Sequence, residues 1–208
     1  MRLLTCTGML LALSAAAAAA AKAPLSVTLT AQPAIVTYGS STTLSGAVST
    51  KNSGVKVTVT AQPCGQNAKI LTSLTTAAQG AWTTATQPDV RTVYQAKAKN
   101  ATSSPVTVQV RPRVTLTKVR AHRFGVRVLA AQSFAQRIAL FQRRTATGWR
   151  TLKSVALQNL LSSQPAPTVV SGMNFRSGIR TGKRVRVLLT QRQVGACYLP
   201  GISNTIRS

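Results

Sequence analysis

The residue types that perform most enzyme chemistry are nearly missing from this 208-residue sequence. It contains a single acidic residue, Asp89, and a single histidine, His122. A general acid–base pair, a Ser-His-acid triad or a metal cage needs several carboxylate, imidazole or thiolate groups. A cysteine–histidine dyad would have to join Cys197 to His122 without an orienting acid. The composition therefore excludes most enzyme mechanisms, and it predicts a non-enzyme without metal, cofactor or small-molecule substrate.

The few remaining reactive or aromatic side chains have simpler interpretations. Asp89 follows Gln87-Pro88, which is typical of a turn. His122 stands between arginines in a predicted hairpin, where a surface position is expected. Trp82 and Trp149 fall within predicted strands, which favours packing over a role as sugar-binding platforms. An exposed coplanar aromatic pair would favour carbohydrate binding instead.

Guanidinium and ammonium groups are the chemistry that the sequence offers in quantity. Lys and Arg number 26, and the formal net charge at pH 7 is +25. Residues 24–111 hold seven Lys or Arg residues and Asp89, whereas residues 112–208 hold 17 Lys or Arg residues and no acid. Most of the 17 are arginines, whose planar fork binds phosphate and carboxylate in a bidentate way. We therefore expect the second part of the chain to contact any anionic partner.

The first 21 residues have the organisation of a secretory signal peptide. Arg2 precedes an apolar stretch from Leu3 to Leu13, and an alanine run follows from Ala15 to Ala21. We predict cleavage near the end of this run, a secreted or cell-envelope location, and no membrane span in the mature chain. The alternative is an uncleaved membrane anchor, which a stretch of this length allows.

Residues 24–111 consist of short β-rich runs separated by turn residues. Val55, Val57 and Val59 alternate with polar residues, which predicts a strand with one buried face. The seven predicted strands are 26–31, 41–49, 55–61, 68–75, 81–86, 91–98 and 105–110. Seven short strands with regular turns indicate an Ig-like sandwich.

A second series of strands follows with similar spacing. The predicted strands are 113–119, 123–130, 137–144, 149–157, 168–175, 183–190 and 198–206, and the longest loop is 159–167. We therefore predict an all-β chain of two tandem Ig-like β-sandwich domains, 24–111 and 112–208, after the signal peptide 1–21. The very short junction at Arg111-Pro112 predicts limited freedom between them.

Each half contains its own short strand and turn motifs. They are Gln32-Pro33, Leu44-Ser45-Gly46 and Thr92-Val93-Tyr94-Gln95-Ala96 in the first, and Leu140-Phe141-Gln142-Arg143-Arg144, Gly148-Trp149-Arg150 and Tyr198-Leu199-Pro200-Gly201-Ile202-Ser203 in the second. Together they resemble the Ig-like repeats of secreted actinobacterial surface proteins, over nearly the whole mature chain. The motifs are strand and turn signatures without chemistry. The resemblance implies an extracellular, non-enzymatic module.

Alternation along two strands predicts a binding face on the second sandwich. It places five side chains outward, Arg137, Phe141 and Arg143 on the third strand, and Arg184 and Arg186 on the sixth. This placement assumes that Ile138 and Leu140 point inward. The third and sixth strands are neighbours in an Ig sandwich. We predict a polyanion-binding face with Phe141 as an apolar contact, for an anionic cell-envelope polymer or extracellular nucleic acid.

The same basic surface has a plainer interpretation. Outward strand positions must be polar, and a chain low in acids can use Lys and Arg for solubility and against edge-to-edge aggregation. Binding of carbohydrates or of other surface proteins, and inhibition of an enzyme, are further functions that this class of protein allows.

Two cysteines remain after the signal peptide, which contains Cys6. Cys64 follows the third strand of the first domain, and Cys197 precedes the last strand of the second. Sandwich topology places both loops at the junction, and an exported chain meets an oxidising compartment. We predict an interdomain disulfide between them. Two free or intermolecular thiols are the alternative, since sequence alone does not determine connectivity.

Overall fold

The computed structural model describes residues 24–208, and β-strands make up most of this region. The predicted signal peptide, with its cleavage site and Cys6, lies outside the described residues. Within them, no helix has the length and hydropathy needed to cross a bilayer.

The first half contains nine strands and one short 3-10 turn at Ala78–Gly80. The strands are β1 (Thr30–Gln32), β2 (Ile35–Thr37), β3 (Thr42–Ala47), β4 (Lys56–Pro63), β5 (Lys69–Thr75), β6 (Ala81–Thr86), β7 (Thr92–Ala98), β8 (Ala101–Thr102) and β9 (Val106–Arg111).

The second half contains nine strands and one short helix, α1 (Gln191–Val194). The strands are β10 (Arg113–Arg120), β11 (Arg123–Ala130), β12 (Ile138–Thr145), β13 (Gly148–Ala156), β14 (Gln158–Asn159), β15 (Val169–Arg176), β16 (Arg184–Leu189), β17 (Gly201–Ile202) and β18 (Ile206–Arg207).

Each half forms two sheets, and each sheet draws its strands from one half only. In the first half the orders are β1-β3-β6 and β2-β9-β7-β4-β5, with β8 paired to β7. In the second half they are β10-β11-β15-β14 and β13-β12-β16-β17, with β18 also paired to β16. These second-half orders correspond to the A-B-E-D and C′-C-F-G sheets of an Ig sandwich. The prediction of an all-β, Ig-like fold is confirmed.

The predicted strands agree with the observed ones except at short elements. The strands at 81–86 and 123–130 were predicted to the residue. Three short strands, β2, β8 and β14, were missed. The predicted strand 198–206 is wrong in extent, because only the two-residue strands β17 and β18 form there. Residues 203–205 interrupt the pairing with β16 between them. In this segment Asn204 Oδ1 accepts the Leu116 N–H, and Asn204 Nδ2 donates to the Leu116 carbonyl.

Three phenylalanines join the two sheets of the second half. Phe124 lies on β11, Phe175 on β15 and Phe141 on β12 of the facing sheet. Ring centroids are 5.0 Å apart for Phe124 and Phe141, and 5.1 Å apart for Phe141 and Phe175. Phe124 and Phe141 are fully buried. Aromatic pairs at such distances add to the stabilisation from burial alone, so this cluster anchors the sandwich.

The buried apolar side chains of the two halves form one continuous cluster, although no sheet is shared. Val110 and Val114, on either side of the short connection, both belong to it. The division into separate folding domains at Arg111-Pro112 therefore stays a prediction. The continuity explains how so short a connection can position the two sandwiches, because the chain is buried on both sides of it.

The predicted disulfide between Cys64 and Cys197 is present, with the two Cα atoms 5.5 Å apart. The backbone of Arg91 reinforces it from both sides. The Cys64 N–H donates to the Arg91 carbonyl at 2.9 Å, and the Arg91 N–H donates to the Cys197 carbonyl at 3.0 Å. Arg91 and Cys64 belong to the first half and Cys197 to the second, so the junction is closed covalently and by hydrogen bonds.

Tyrosine side chains supply further polar contacts at the junction. The Tyr198 hydroxyl donates to the Asp89 carbonyl at 2.8 Å and accepts the Ala131 N–H at 3.0 Å. The Tyr38 hydroxyl lies 2.9 Å from the Thr168 hydroxyl across the same junction. These bonds satisfy polar groups in a nearly buried region, where an unpaired group is costly.

We expect the protein to lose stability between about pH 10 and pH 12 through Tyr198. Burial, chiefly, raises the pKa of Tyr198 to about 12 from an ordinary value of 10.0. The unfolded chain therefore loses this proton first. The contribution of the neutral Tyr198 hydroxyl to the free energy of unfolding is complete below the unfolded-state pKa, and it is lost as the pH rises through the folded-state pKa. A shift of this size corresponds to up to about 3 kcal/mol. Urea unfolding across this pH range measures it.

The variant Tyr198→Phe tests the assignment. It leaves the Ala131 N–H and the Asp89 carbonyl without their partner, so we expect a loss of about 1–3 kcal/mol at neutral pH. Its stability should then fall less with rising pH than that of the native protein. An identical alkaline slope in both proteins would contradict a role for Tyr198.

Candidate anion-binding face

One outer sheet surface of the second half carries a cluster of arginines around a tryptophan. We call it the arginine face, and its members are Arg144, Trp149, Arg184, Arg186 and Arg207. Strand register brings them together. Arg144 pairs with Trp149 between β12 and β13, and Arg184 pairs with Arg207 between β16 and β18. β12 and β16 are neighbours, so all these strands form one continuous surface.

Alternation along the strands explains why these side chains face outward. Val185 and Val187 are fully buried, so Arg184 and Arg186 point to the opposite, outer side of β16. Phe141 on β12 is also fully buried, and it pairs with Val187. The sheet therefore presents apolar side chains inward and guanidinium groups outward.

Arg186 has the most defined geometry of the group. Its guanidinium carbon lies 4.1 Å from the centroid of the Trp149 ring, a cation–π contact. Its Nε donates to the Gln142 Oε1 at 3.0 Å, and Gln142 in turn donates to Thr151 Oγ1 at 3.3 Å. Arg144 lies at the same ring, with its guanidinium carbon 5.7 Å from the centroid.

The electrostatics of the arginine face are unbalanced. Burial, and then repulsion from the Arg144 guanidinium, lower the pKa of Arg186 from its ordinary value. Asp89, the single acidic residue of the sequence, lies at the junction, where its backbone carbonyl accepts the Tyr198 hydroxyl. The charges of the arginine face are therefore left without a carboxylate side chain from their own chain, and an external anion would relieve their repulsion.

The cluster lies at the end of its sheet that is remote from the junction. Leu189, at one end of β16, pairs with Gly201. A Cβ atom added to Gly201 would come within 2.9 Å of Pro112 Cγ, so this end lies against the start of the second half. Arg184 begins the strand at its other end, about 17 Å away. The arginine face is thus placed away from the first half of the protein.

The predicted site residues are only partly brought together. Arg184 and Arg186 face outward as predicted, and β12 and β16 are neighbours as predicted. The prediction for Phe141 is wrong, because its side chain is fully buried in the phenylalanine cluster. Arg143 was also assigned to the wrong side. It pairs with the buried Val185, and its Nε is buried without a hydrogen-bond partner in the described region.

Arg137 is exposed but does not join the cluster. It lies immediately before β12, whereas Arg144 lies near the other end of that strand. About seven residues of extended strand, roughly 23 Å, separate the two. The outward residues of β12 are therefore Leu140, Gln142 and Arg144, one position out of phase with the prediction.

Arg144, Trp149 and Arg207 were missed as members of the site. A signal for Arg144 and Trp149 was present, because both flank the turn of the predicted hairpin β12–β13 and face each other across it. Arg207 carried no such signal, since its pairing depends on where the chain returns after α1.

The other residues considered for chemistry take structural positions. His122 lies exposed in the hairpin between β10 and β11, as expected. Trp82 is 4% exposed, which agrees with a packing role. Trp149 is partly buried under the two arginines, so it packs on the outer surface of its sheet.

Comparisons with known proteins leave the family open. The sequence matches no model of a known protein family, and it matches no curated protein. Among solved structures, the chain is similar to one described as "Marsupial T cell receptor", at 10% sequence identity and a TM-score of 0.34. That similarity covers 88% of this chain and 100% of the other. The Ig-like assignment rests on the strand orders described above.

Proposed function

We propose that this protein is an extracellular interaction module that binds anionic polymers through the arginine face. The Ig-like sandwich suggests an interaction or structural module, and we add to this the proposal of an anionic ligand. One observation supports that ligand. Arg144 and Arg186 converge on Trp149 with no acidic side chain of their own chain available to neutralise them. Cell-envelope polymers and extracellular nucleic acid are the ligands of matching charge.

The disulfide supports the proposed location. Structural disulfides persist in oxidising compartments and are rare in the cytosol. The bond between Cys64 and Cys197 is consistent with an extracellular protein. We propose export through the signal peptide at residues 1–21, followed by action in the cell envelope or outside the cell. The closed junction would hold the arginine face at a constant distance from the first half.

Binding should depend steeply on salt. If four arginines of the face each contact one phosphate, log K should fall with log salt at a slope of about −3 to −4 on duplex DNA. Affinity should then drop about 100-fold between about 50 mM and about 200 mM salt. Fluorescence anisotropy with a labelled duplex and with a labelled wall polymer measures both slopes.

Paired charge variants separate a binding face from a merely solvated surface. The double variant Arg184→Gln with Arg207→Gln removes two charges from the arginine face, and we expect its salt slope to be shallower by about 2. The control double variant Arg127→Gln with Arg137→Gln removes two exposed charges elsewhere. It should change the slope little. Equal losses in both variants, or a flat isotherm, would favour the plainer interpretation of solubility.

A further inference from the structure

Two arginines of the arginine face share one aromatic ring. Their guanidinium carbons lie 4.1 Å and 5.7 Å from the Trp149 centroid, which places them no more than about 10 Å apart. Both cations are attracted to the ring while they repel each other. This pair is therefore a more specific feature than the general positive charge of the surface.

Arg186 is held in one orientation by its neighbours. Gln142 accepts the Nε hydrogen bond, and the guanidinium carbon lies over the Trp149 ring. Among residues 24–208, no acceptor is found for the two terminal amino groups of Arg186. An arginine with its Nε occupied still presents these two groups as a pair of donors. Because the side chain is already ordered, less conformational entropy is lost when an anion binds.

The number of donors and charges selects the ligand group. A carboxylate offers two oxygens and one negative charge, which suits one guanidinium fork. A terminal phosphate offers three oxygens and a charge of about −1.5 to −2, which suits two. We propose that Arg144, Arg186 and Trp149 form a discrete subsite for a terminal phosphate group, that is, a phosphate monoester. This subsite rests on the proposed function, and it specifies which part of an anionic partner is recognised.

The test compares ligands that differ in one phosphate. A single-stranded oligonucleotide with a 5′-terminal phosphate should bind about tenfold more tightly than the same oligonucleotide without it, since each charge-assisted bond contributes appreciably. A comparison of two kinds of vesicle shows whether a lipid can supply the phosphate group. Vesicles with phosphatidic acid, a monoester, should bind more tightly than vesicles with phosphatidylglycerol, a diester.

Free anions test the subsite directly. Inorganic phosphate should change the Trp149 fluorescence, whereas acetate at the same ionic strength should not. The variant Trp149→Phe assigns that signal.

Two variants remove the subsite without removing the sheet. Arg186→Lys keeps the charge but lacks the planar fork, so the preference for the terminal phosphate should fall to about twofold or less. Gln142→Glu keeps the shape and places a carboxylate against Arg186, so phosphate should be displaced. The control Arg127→Lys makes the same exchange on β11 in the other sheet and should keep the full preference. An unchanged preference in both Arg186→Lys and Gln142→Glu would overturn the subsite.

The outcomes distinguish this subsite from the proposed function. If both oligonucleotides bind equally and with a steep salt dependence, the polyanion-binding function stands and the subsite is refuted. If inorganic phosphate alters Trp149 fluorescence but no polymer binds, the polymer function is refuted, and the subsite is then a site for small phosphate monoesters instead of part of a polymer-binding face. If neither phosphate nor polymer binds, both are refuted.

Discussion

Replacing Cys64 and Cys197 with serine is expected to lower the free energy of unfolding by about 5 kcal/mol. The bond joins residues separated by 133 positions in the chain. In the chain-entropy account, a cross-link over so long a loop restricts the unfolded state strongly, and the calculated contribution is about 5 kcal/mol. Urea unfolding of the native protein, the double variant and the reduced native protein measures the difference.

The single variants provide the control. Either Cys64→Ser or Cys197→Ser alone breaks the bond, so each should cost nearly as much as the double variant. The hydrogen bonds through the Arg91 backbone remain in all three variants. A loss below about 1 kcal/mol would mean that these bonds and the continuous apolar cluster already hold the junction without help from the disulfide.

Replacing Phe141 with alanine is expected to destabilise the whole protein by about 3–5 kcal/mol. The ring is fully buried between the two sheets and contacts Phe124 and Phe175. Its removal deletes apolar contacts and leaves a cavity that a β-sandwich cannot readily close. Chemical unfolding measures the change, and anion binding at temperatures where the variant stays folded should be nearly unaffected.

Leu140→Ala is the matched comparison, because Leu140 is the neighbouring residue on the outer side of β12. It is only partly buried, so its loss should be clearly smaller than that of Phe141→Ala. The opposite order of effects would restore the assignment in which Leu140 points inward and Phe141 outward, and it would move the arginine face by one residue along the strand.

The strands were predictable because their signal is local. Val55, Val57 and Val59 alternate with polar residues, and β4 was found there. Two-residue strands such as β8 and β14 have no such signal, since their pairing depends on a neighbouring strand. The positions of the cysteines were predictable locally, because Cys64 follows one predicted strand and Cys197 precedes another. Their pairing depends on strand order, which determines which loops meet.

The arginine face was only partly predictable, because both sides of β12 carry apolar residues. Ile138 and Leu140 on one side, and Ala139 and Phe141 on the other, satisfy alternation equally well. Which of these two sides faces inward depends on the side chains that the facing sheet can accommodate. Phe124 and Phe175 form an aromatic surface that accepts the Phe141 ring. That contact between distant residues turned Arg144 outward and Arg143 inward.

The sequence by itself determined that this is an all-β chain with a large cationic excess, that the excess belongs to its second half, and that enzyme chemistry has few groups to use. These properties follow from composition and from the two-residue period of strands, which involve only nearby residues. The tertiary structure alone decided which arginines meet. Trp149, Arg186 and Arg207 come from three separate strands, and their proximity depends on the register between those strands, which packing across the sandwich selects.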